Sequence, residues 1–266
     1  RKLIKELKPS CFEDLIALLA LYRPGPLGSG MVQDFISNKA GTTTVSYQLE
    51  CLEPILKDTY GLILYQEQVM QIASAVGGFS LAQADMLRRA MGKKKKSVMD
   101  EMKLDFLEGA KAKSFDVEIA SAIFELCYKF SEYGFNKSHS AAYAMISYQT
   151  AYLKTHYPTE YLAALMSSVM GSSDKIAEYV QEARRMGIKV LPPSVLYSQA
   201  NFTCDDTSIR FGLAAIKNVG EGAIESIVQQ RSGLKAYESM EDFFLKVDLR
   251  QVNKRPKKFL KNIIFK

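Results

Sequence analysis

One stretch, residues 130–148, limits most strongly what this chain can build. Its sequence, FSEYGFNKSHSAAYAMISY, begins as a turn and continues into an alanine-rich segment, which predicts a helix. Ser138 or Ser140 can cap that helix, and Lys137 and His139 then lie beside its N-terminal end. Backbone N–H groups, the helix dipole and nearby cationic side chains together favour a bound anion, most naturally phosphate. The alternative is an ordinary capped helix with a few polar surface residues.

The densest group of positive charges lies on another predicted helix. A capping box, SLAQ at 80–83, opens this helix, which carries Arg88 and Arg89 and is followed by lysines at 93–96. Adjacent arginines on a helix point about 100° apart, so at least one should face a cleft or a partner. The planar fork of a guanidinium suits phosphate. The last two lysines are better explained as a solvated face.

Three further side chains have both a functional and a structural interpretation. Arg23 lies in a stiff loop, YRPGPL at 22–27, and the alternative to a functional contact is a solvated loop arginine. Glu67 has no visible partner, and capping or pairing with an arginine is favoured over catalysis. Tyr143 follows His139 by one helical turn, which distinguishes it from the other tyrosines of its helix.

Composition narrows the class of protein without naming it. The chain has 266 residues and a net charge of +6, which favours an anionic partner. No apolar run reaches the length of a membrane span. Four cysteines lie far apart without a CxxC pair, so neither a zinc site nor a disulfide framework is expected. We expect free or buried thiols in a cytoplasmic protein.

The pattern changes in the last third of the chain. Residues 188–191 are predicted as a strand, and residues 201–213 as a β-hairpin around a polar turn. The segment IKNVGEGAIESI at 216–227 predicts two helices joined by a glycine-bracketed turn. The bare amides of Gly220 and Gly222 can approach a DNA phosphate closely and contact the backbone rather than the bases. An ordinary corner between two helices is the alternative.

The fold predicted from these patterns is mainly α. We expect a multi-helix domain, a small β element near 188–213 and a C-terminal helix-hairpin-helix. No GxxxxGK[ST], GxSxG, HExxH or GxGxxG motif occurs, and no acidic cluster is spaced to hold paired metal ions.

Several long segments together resemble one protein family. They are YRPGPLGSGM (22–31), YGLILYQEQVMQIA (60–73), ADMLRRAMGKKK (84–95) and YGFNKSHSAAYAMISYQTAYLK (133–154). They resemble the fingers region of the C-family bacterial replicative DNA polymerases, the DNA polymerase III alpha subunits. LPPSV (191–195) and IRFGLAAIKNVGEGAIESI (209–227) are similar to the helix-hairpin-helix that follows the fingers. The resemblance extends from about Lys5 to about Arg255.

The resemblance implies an activity. In this family a nucleotide is transferred from a deoxynucleoside triphosphate to a primer 3′-OH, with two Mg²⁺ ions held by palm aspartates that precede the fingers. We therefore expect the metal ligands upstream of Arg1, no catalytic or metal-binding residue in this chain, and no polymerisation by this chain alone. The implied partners are template–primer DNA, the dNTP and other replicase subunits, including the sliding clamp.

The resemblance and the charge pattern together assign candidate contacts. For the nucleotide triphosphate they are Arg88, Arg89, Lys137 and His139, with Tyr143 near the incoming base or sugar and Arg23 as a further contact. For DNA they are Lys217, Gly220, Gly222, Lys93 and Lys94.

Three segments are expected along the chain. They are a fingers domain at 1–200, a β-hairpin with helix-hairpin-helix at 201–255, and an atypical basic tail at 256–266. Pro256 interrupts the apolar helix expected at that point, so the tail is assigned no function. Two alternatives to a polymerase fragment remain: a stand-alone DNA-binding helix-hairpin-helix module, and a structural domain whose basic surface is incidental.

Overall fold

Regular structure in this chain is mostly helical. The computed structural model describes residues 1–93, 96–130, 134–217, 219–233, 237 and 239–247. Within these residues lie fourteen α-helices and one small sheet, so the predicted mainly α fold is confirmed. The chain divides into two compact units after Tyr148. In the described part, no helix combines the length and the apolar character needed to span a bilayer.

The first unit consists of helices and connecting turns. Its helices are α1 (Lys2–Leu7), α2 (Phe12–Leu21), α3 (Pro24–Gly28), α4 (Met31–Lys39), α5 (Glu53–Leu56), α6 (Gln66–Ala75), α7 (Leu81–Lys93), α8 (Lys96–Ala112) and α9 (Val117–Phe130). Helix α10 (Lys137–His156) begins in this unit and continues past its boundary. The predicted capping box of α7 is confirmed, since Ser80 and Gln83 exchange hydrogen bonds at 2.9 and 3.3 Å.

The second unit combines helices with the sheet. Its elements are α11 (Pro158–Ser168), α12 (Ser173–Arg185), β1 (Lys189–Leu191), β2 (Thr203–Cys204), β3 (Ser208–Arg210), a 3₁₀ turn (Leu213–Ala215), α13 (Glu221–Gly233) and α14 (Met240–Lys246). Strand β3 is central and pairs in parallel with β1 and antiparallel with β2. The Asp205 carboxylate accepts hydrogen bonds from the N–H groups of Thr207 and Ser208 and closes the β2–β3 turn. The predicted strand and hairpin are therefore confirmed.

Two apolar cores stabilise the second unit. One lies where α11 and α12 pack on the sheet, around Leu162 and Ile209. The other surrounds Phe243 between α13 and α14. Arg231 of α13 donates from Nη1 to two carbonyl groups of the loop at 195–198, at 3.0 and 2.9 Å. This arginine is therefore occupied in holding its own unit together.

The largest core of the first unit is built by α6, α7, α8 and α9, each packed on the next. Val69, Ile72 and Phe106 are among its buried residues. The approach of α8 to the end of α6 requires glycine, because a Cβ on Gly109 would stand 1.8 Å from the carbonyl oxygen of Gly77. The two segments therefore meet backbone to backbone.

A substitution at Gly109 tests this backbone contact. In an open helix, Gly→Ala stabilises by about 0.5–1 kcal/mol. Here Gly109→Ala should instead destabilise by roughly 1–3 kcal/mol, because the methyl group forces α8 away from α6. Urea unfolding followed by circular dichroism measures the change. Gly28→Ala is the control, since a Cβ there meets no atom within 4 Å. A stabilised Gly109→Ala variant would contradict the close approach.

A buried carboxylate joins α2 to α4. Asp14 is fully buried, and its Oδ2 lies 2.8 Å from Nζ of Lys39. The Tyr60 hydroxyl donates to Oδ1 at 3.0 Å, and the N–H of Ser10 donates to Oδ2 at 2.8 Å. Burial pushes the pKa of Asp14 upward, but the hydrogen bonds from Lys39, Ser10 and Tyr60 outweigh burial and lower that pKa to about 2.

The lowered pKa of Asp14 predicts a loss of stability in acid. The pKa of this carboxyl in the unfolded chain is 3.8, so its contribution is complete above about pH 5 and is lost as the pH falls toward 2. The contribution is about 2.5 kcal/mol. Denaturant unfolding between pH 2 and pH 7 measures it.

The matched variant is Asp14→Asn. It should flatten the acid part of the stability profile and cost about 3 kcal/mol at pH 7, because it leaves Lys39 beside an uncharged amide. Asp34→Asn, at an exposed position of α4, is the control. Parallel pH profiles for the wild type and Asp14→Asn would show that the ion pair does not set the acid limit.

Candidate nucleotide and DNA site

The segments that lead into α6 and α10 run side by side. Tyr65 and Phe135 form a parallel bridge, in which Gln66 donates from its N–H to the carbonyl of Phe135 at 2.9 Å. Phe135 in turn donates from its N–H to the carbonyl of Leu64 at 3.4 Å. Because α6 starts at Gln66 and α10 at Lys137, two helix N-termini lie next to each other. Their peptide dipoles together make this region favourable for negative charge.

A buried glutamine fixes the entry to α6. Gln68 accepts hydrogen bonds at Oε1 from the N–H groups of Leu64 and Tyr65, at 2.8 and 2.9 Å. Its Nε2 donates to Thr59 Oγ1 at 2.8 Å and to the carbonyl of Ile55 at 3.2 Å. A buried amide with both ends paired holds the backbone in one position. The first turn of α6 is therefore rigidly placed opposite α10.

The prediction that Ser138 or Ser140 caps α10 is wrong. Asn136 is the cap, since its Oδ1 accepts a hydrogen bond from the N–H of His139 at 2.8 Å. Asn and Ser are about equally good N-caps, so local preference could not choose between them. The hydroxyl of Ser140 is buried instead and has no hydrogen-bond partner among the described residues.

The carboxylate of Glu67, a residue of α6, bonds to the first turn of α10. Its two carboxylate oxygens lie 3.1 and 3.0 Å from the backbone N of Lys137, and its Oε1 accepts from Asn136 Nδ2 at 2.9 Å. The capping role that sequence favoured for Glu67 is confirmed, although the helix it caps is a different one from its own. A protein carboxylate thus already lies where the sequence predicted an anion.

Removing this carboxylate should loosen the start of α10. Glu67→Ala leaves the Lys137 amide without its acceptor, so we expect faster hydrogen exchange there and a loss of about 1 kcal/mol in stability. Hydrogen exchange followed by NMR measures the effect residue by residue. Glu101→Ala, at an exposed position of α8, is the control. Unchanged exchange at Lys137 would contradict the cap.

The two adjacent arginines of α7 share one carboxylate. Arg88 donates from Nε and Nη2 to Asp85 Oδ1 at 3.0 and 2.8 Å, and Arg89 donates from Nε to Oδ2 at 2.7 Å. The hydrogen bonds from Arg88 are the main reason that the pKa of Asp85 is lowered. Arg88 also reaches Gln66 Oε1 from Nη1 at 3.4 Å, and Gln66 Nε2 lies 3.4 Å from the carbonyl of Gly134. The arginines are thereby linked to the start of α10.

A row of rings connects the other predicted contacts. The guanidinium carbon of Arg23 lies 4.4 Å from the centroid of the Phe135 ring, within the range of a cation–π contact. The ring centroids of Phe135 and His139 are 5.6 Å apart, and those of His139 and Tyr143 are 4.8 Å apart. Tyr143 is 55% exposed, so much of its ring is open to a ligand.

The six residues predicted for the nucleotide therefore belong to one contact network in the first unit. Arg88 and Arg89 join it through Asp85 and Gln66, and the backbone N–H of Lys137 joins it through Glu67. Arg23 and His139 contact Phe135, and Tyr143 contacts His139. One crevice between these elements is lined by Gln66, Arg88, Met91, Phe130 and Gly134 among others, and holds about 20 Å³. That volume suits little more than one water molecule, so the network presents a surface rather than an enclosed cavity.

Comparison with known proteins identifies the family to which the chain is similar. Residues 1–114 match the bacterial DNA polymerase III alpha subunit finger domain, and residues 187–263 match a helix-hairpin-helix motif. The DNA polymerase III alpha subunits of Pseudomonas aeruginosa, Vibrio cholerae and Escherichia coli K12 are 51%, 52% and 50% identical to this chain over 261 residues. The chain belongs to the bacterial DNA polymerase III alpha subunit family. The aligned residues make up 96% of this chain but 22% of each relative.

Membership in the polymerase family settles one alternative. A stand-alone helix-hairpin-helix module does not fit, because the finger-domain match covers 1–114 and the identity runs through nearly the whole chain. The resemblance stated from the sequence motifs is confirmed.

Several residues of this fingers surface were missed by sequence reasoning. Asp85 stands three and four residues before the arginines, a spacing that indicates helical ion pairs and could have been used. The pairing of Gln66 with Gly134 and Phe135 carries no comparable local signal, because these partners lie about seventy residues apart along the chain.

The predicted helix-hairpin-helix differs locally from its expectation. Before the turn there is a single 3₁₀ turn, Leu213–Ala215, rather than a helix beginning at Ile216. The carbonyl of Gly220 accepts the first helical hydrogen bonds of α13, from Ala223 and Ile224. Gly222 therefore lies inside the first turn of α13 and not in the connecting turn.

Only some of the other residues predicted to contact DNA lie within the described part of the structure. Lys217 is exposed just before the turn. A Cβ built on Gly220 meets no atom within 4 Å, so packing among the described residues does not require glycine there. Lys93 ends α7, but its side chain and the whole of Lys94 lie outside the described residues.

Potential metal ligands and thiols are dispersed in the described part of the chain. Across the described residues, no group of three or more His, Cys, Asp or Glu side chains could hold a metal ion. The four cysteines are free, and burial raises the pKa of the Cys127 thiol to about 12. A thiol with so high a pKa stays protonated and unreactive near neutral pH.

Proposed function

We propose that this chain is the fingers part of a replicative DNA polymerase and binds the triphosphate of the incoming dNTP. The observation that carries the proposal is that the arginine pair of α7 is linked through Gln66 to the segment that begins α10, which carries Lys137 and His139. The first N–H group of α10 is itself taken by Glu67, so the side chains rather than the helix end supply the positive features. Phosphoryl transfer depends chiefly on positioning a triphosphate and neutralising its charge, and these features supply both.

The proposed roles follow from the chemistry of each side chain. Arg89 binds a phosphate through the open edge of its planar fork, and Arg88, whose nitrogens bond Asp85 and Gln66, contributes its positive charge to the triphosphate contact. Lys137 adds a cationic donor and His139 an imidazole at the start of α10, where the ammonium of Lys137 lies 5.5 Å from the Tyr65 ring. Tyr143 offers an exposed ring to the base or sugar. Arg23, held over a ring by a cation–π contact, is a further contact at the edge of the surface.

The second unit is proposed to bind duplex DNA. Lys217 and the turn at Gly220 and Gly222 would contact phosphates, and the open space in front of Gly220 leaves room for a close backbone approach. Lys93 and Lys94 would contribute further positive charge. Such contacts do not depend on base sequence, as a polymerase requires.

The rest of the proposal concerns the whole enzyme. The reaction would use Mg²⁺, and its ligands would come from parts of the enzyme other than the described residues, which offer no group of three or more acidic, His or Cys side chains. We propose a fingers domain at 1–200, a DNA-binding segment at 201–255, and a cytoplasmic enzyme that works with other replicase subunits and a sliding clamp.

Arg89→Ala in a full-length polymerase that carries this chain tests the nucleotide site. Loss of one charged contact, about 1.5–3 kcal/mol, should raise the dNTP KM or lower kcat by about tenfold or more. Steady-state primer extension at varied dNTP concentration measures both constants. Arg185→Ala, on the exposed end of α12, is the control for loss of one positive charge. Unchanged constants for Arg89→Ala would remove this residue from the site.

A further inference from the structure

Asp85 makes an arrangement that helix geometry alone would not produce. Neighbouring side chains on an α-helix diverge by about 100°, so Arg88 and Arg89 would by default point in different directions. Asp85 stands one turn earlier, at the i−3 and i−4 positions, from which both can be reached. Each of its oxygens takes a different arginine, with N···O distances of 2.8 and 2.7 Å. One carboxylate thus draws two guanidinium groups together.

Asp85 contacts one of the three nitrogen atoms of the Arg89 guanidinium group. Arg89 is bound through Nε, and within the described residues no partner is recorded for its two terminal Nη atoms. Its side chain is 66% exposed. The two Nη groups form one of the edges through which a guanidinium group can bind phosphate oxygens in a bidentate way. The carboxylate therefore restrains Arg89 while leaving its phosphate-binding edge open.

We propose that Asp85 is a positioning residue of the triphosphate site, which holds Arg89 beside Arg88 so that a phosphate of a nucleoside triphosphate meets the open Nη edge of Arg89 and the positive charge of Arg88. This inference rests on the proposed function. Long arginine side chains lose rotamer freedom when they bind a ligand, and Asp85 imposes part of that loss before the nucleotide arrives.

Asp85 could also weaken nucleotide binding, so the two possible roles predict opposite changes in affinity when its charge is removed. A carboxylate beside an anion site repels the ligand, so electrostatics alone predicts that removal of its charge tightens nucleotide binding. Positioning predicts weaker binding on the same substitution. A third reading, an exposed helical ion pair that only supports α7, predicts no change in nucleotide binding.

Asp85→Asn in the full-length polymerase is the test. Asparagine keeps one oxygen acceptor but replaces the other with an N–H₂ group, which cannot accept from an arginine, so at least one guanidinium group is released. We expect the dNTP KM to rise at least fivefold, with a smaller change in kcat. The control is Asp105→Asn, the same change of charge at an exposed position of α8, which should leave KM unchanged.

Further variants separate the readings. In an Arg88→Ala, Arg89→Ala background, Asp85→Asn should have no further effect on KM, because the residue acts only through the arginines. Asp85→Glu keeps the carboxylate and should restore KM most of the way. A KM that is unchanged or lowered in Asp85→Asn, or one that rises equally in the double-alanine background, overturns the positioning role.

The same experiment distinguishes failure of the inference from failure of the proposed function. If Arg88→Ala and Arg89→Ala raise KM but Asp85→Asn does not, the triphosphate site stands and Asp85 has no positioning role. If the arginine variants have wild-type KM, both proposals are overturned. Thermal unfolding of each variant checks folding, and Asp85→Glu supplies the kinetic comparison should Asp85→Asn be poorly folded.

Discussion

The parallel pairing of Tyr65 with Phe135 is the interaction on which the candidate site depends. It joins two segments about seventy residues apart and sets the starts of α6 and α10 beside each other. Gln68 stabilises one side of the pairing from the core, and Glu67 bonds across to the other side. Without this pairing the two helix N-termini would carry the same residues but would not share one surface.

Carboxylate groups of the protein itself reduce the repulsion among its clustered positive charges. Asp85 offsets one of the two positive charges of the arginine pair of α7, and Glu67 accepts a hydrogen bond from the first turn of α10. Asp14 does the same for Lys39 inside the first unit, where burial makes an unpaired charge costly. The three acids differ in exposure and therefore in role. Asp14 contributes to stability, whereas Asp85 and Glu67 lie where a substrate's charge would be received.

Local sequence patterns predicted the features that depend on interactions between residues close together in the chain. The mainly α fold, the capping box of α7 and the hairpin around Asp205 all depend on residues within a few positions of one another. The cap of α10 was assigned to a serine because Asn136 and the serines have similar intrinsic preference, and only the tertiary placement of Glu67 separates them. The 3₁₀ turn before Gly220 likewise has a sequence that would equally suit a helix.

Sequence reasoning proposes the residues of the candidate site, but it does not give the contacts that join them. Arg88, Arg89, Lys137 and His139 came from charge, helix position and family resemblance. Their connection through Gln66 and Phe135 could not be derived, because contacts between distant segments leave no periodic signal in a single sequence.

The exposure of Arg89 has a consequence for the medium in which the surface works. Mobile ions reach a guanidinium group that is two-thirds exposed, and at an ionic strength of 0.15 M they screen its field over about 8 Å. Attraction felt at longer range will fade as salt is added, while hydrogen bonds made in contact persist. The rate at which the surface around Arg89 captures a polyanion should therefore depend more strongly on salt concentration than the rate at which it releases the bound polyanion.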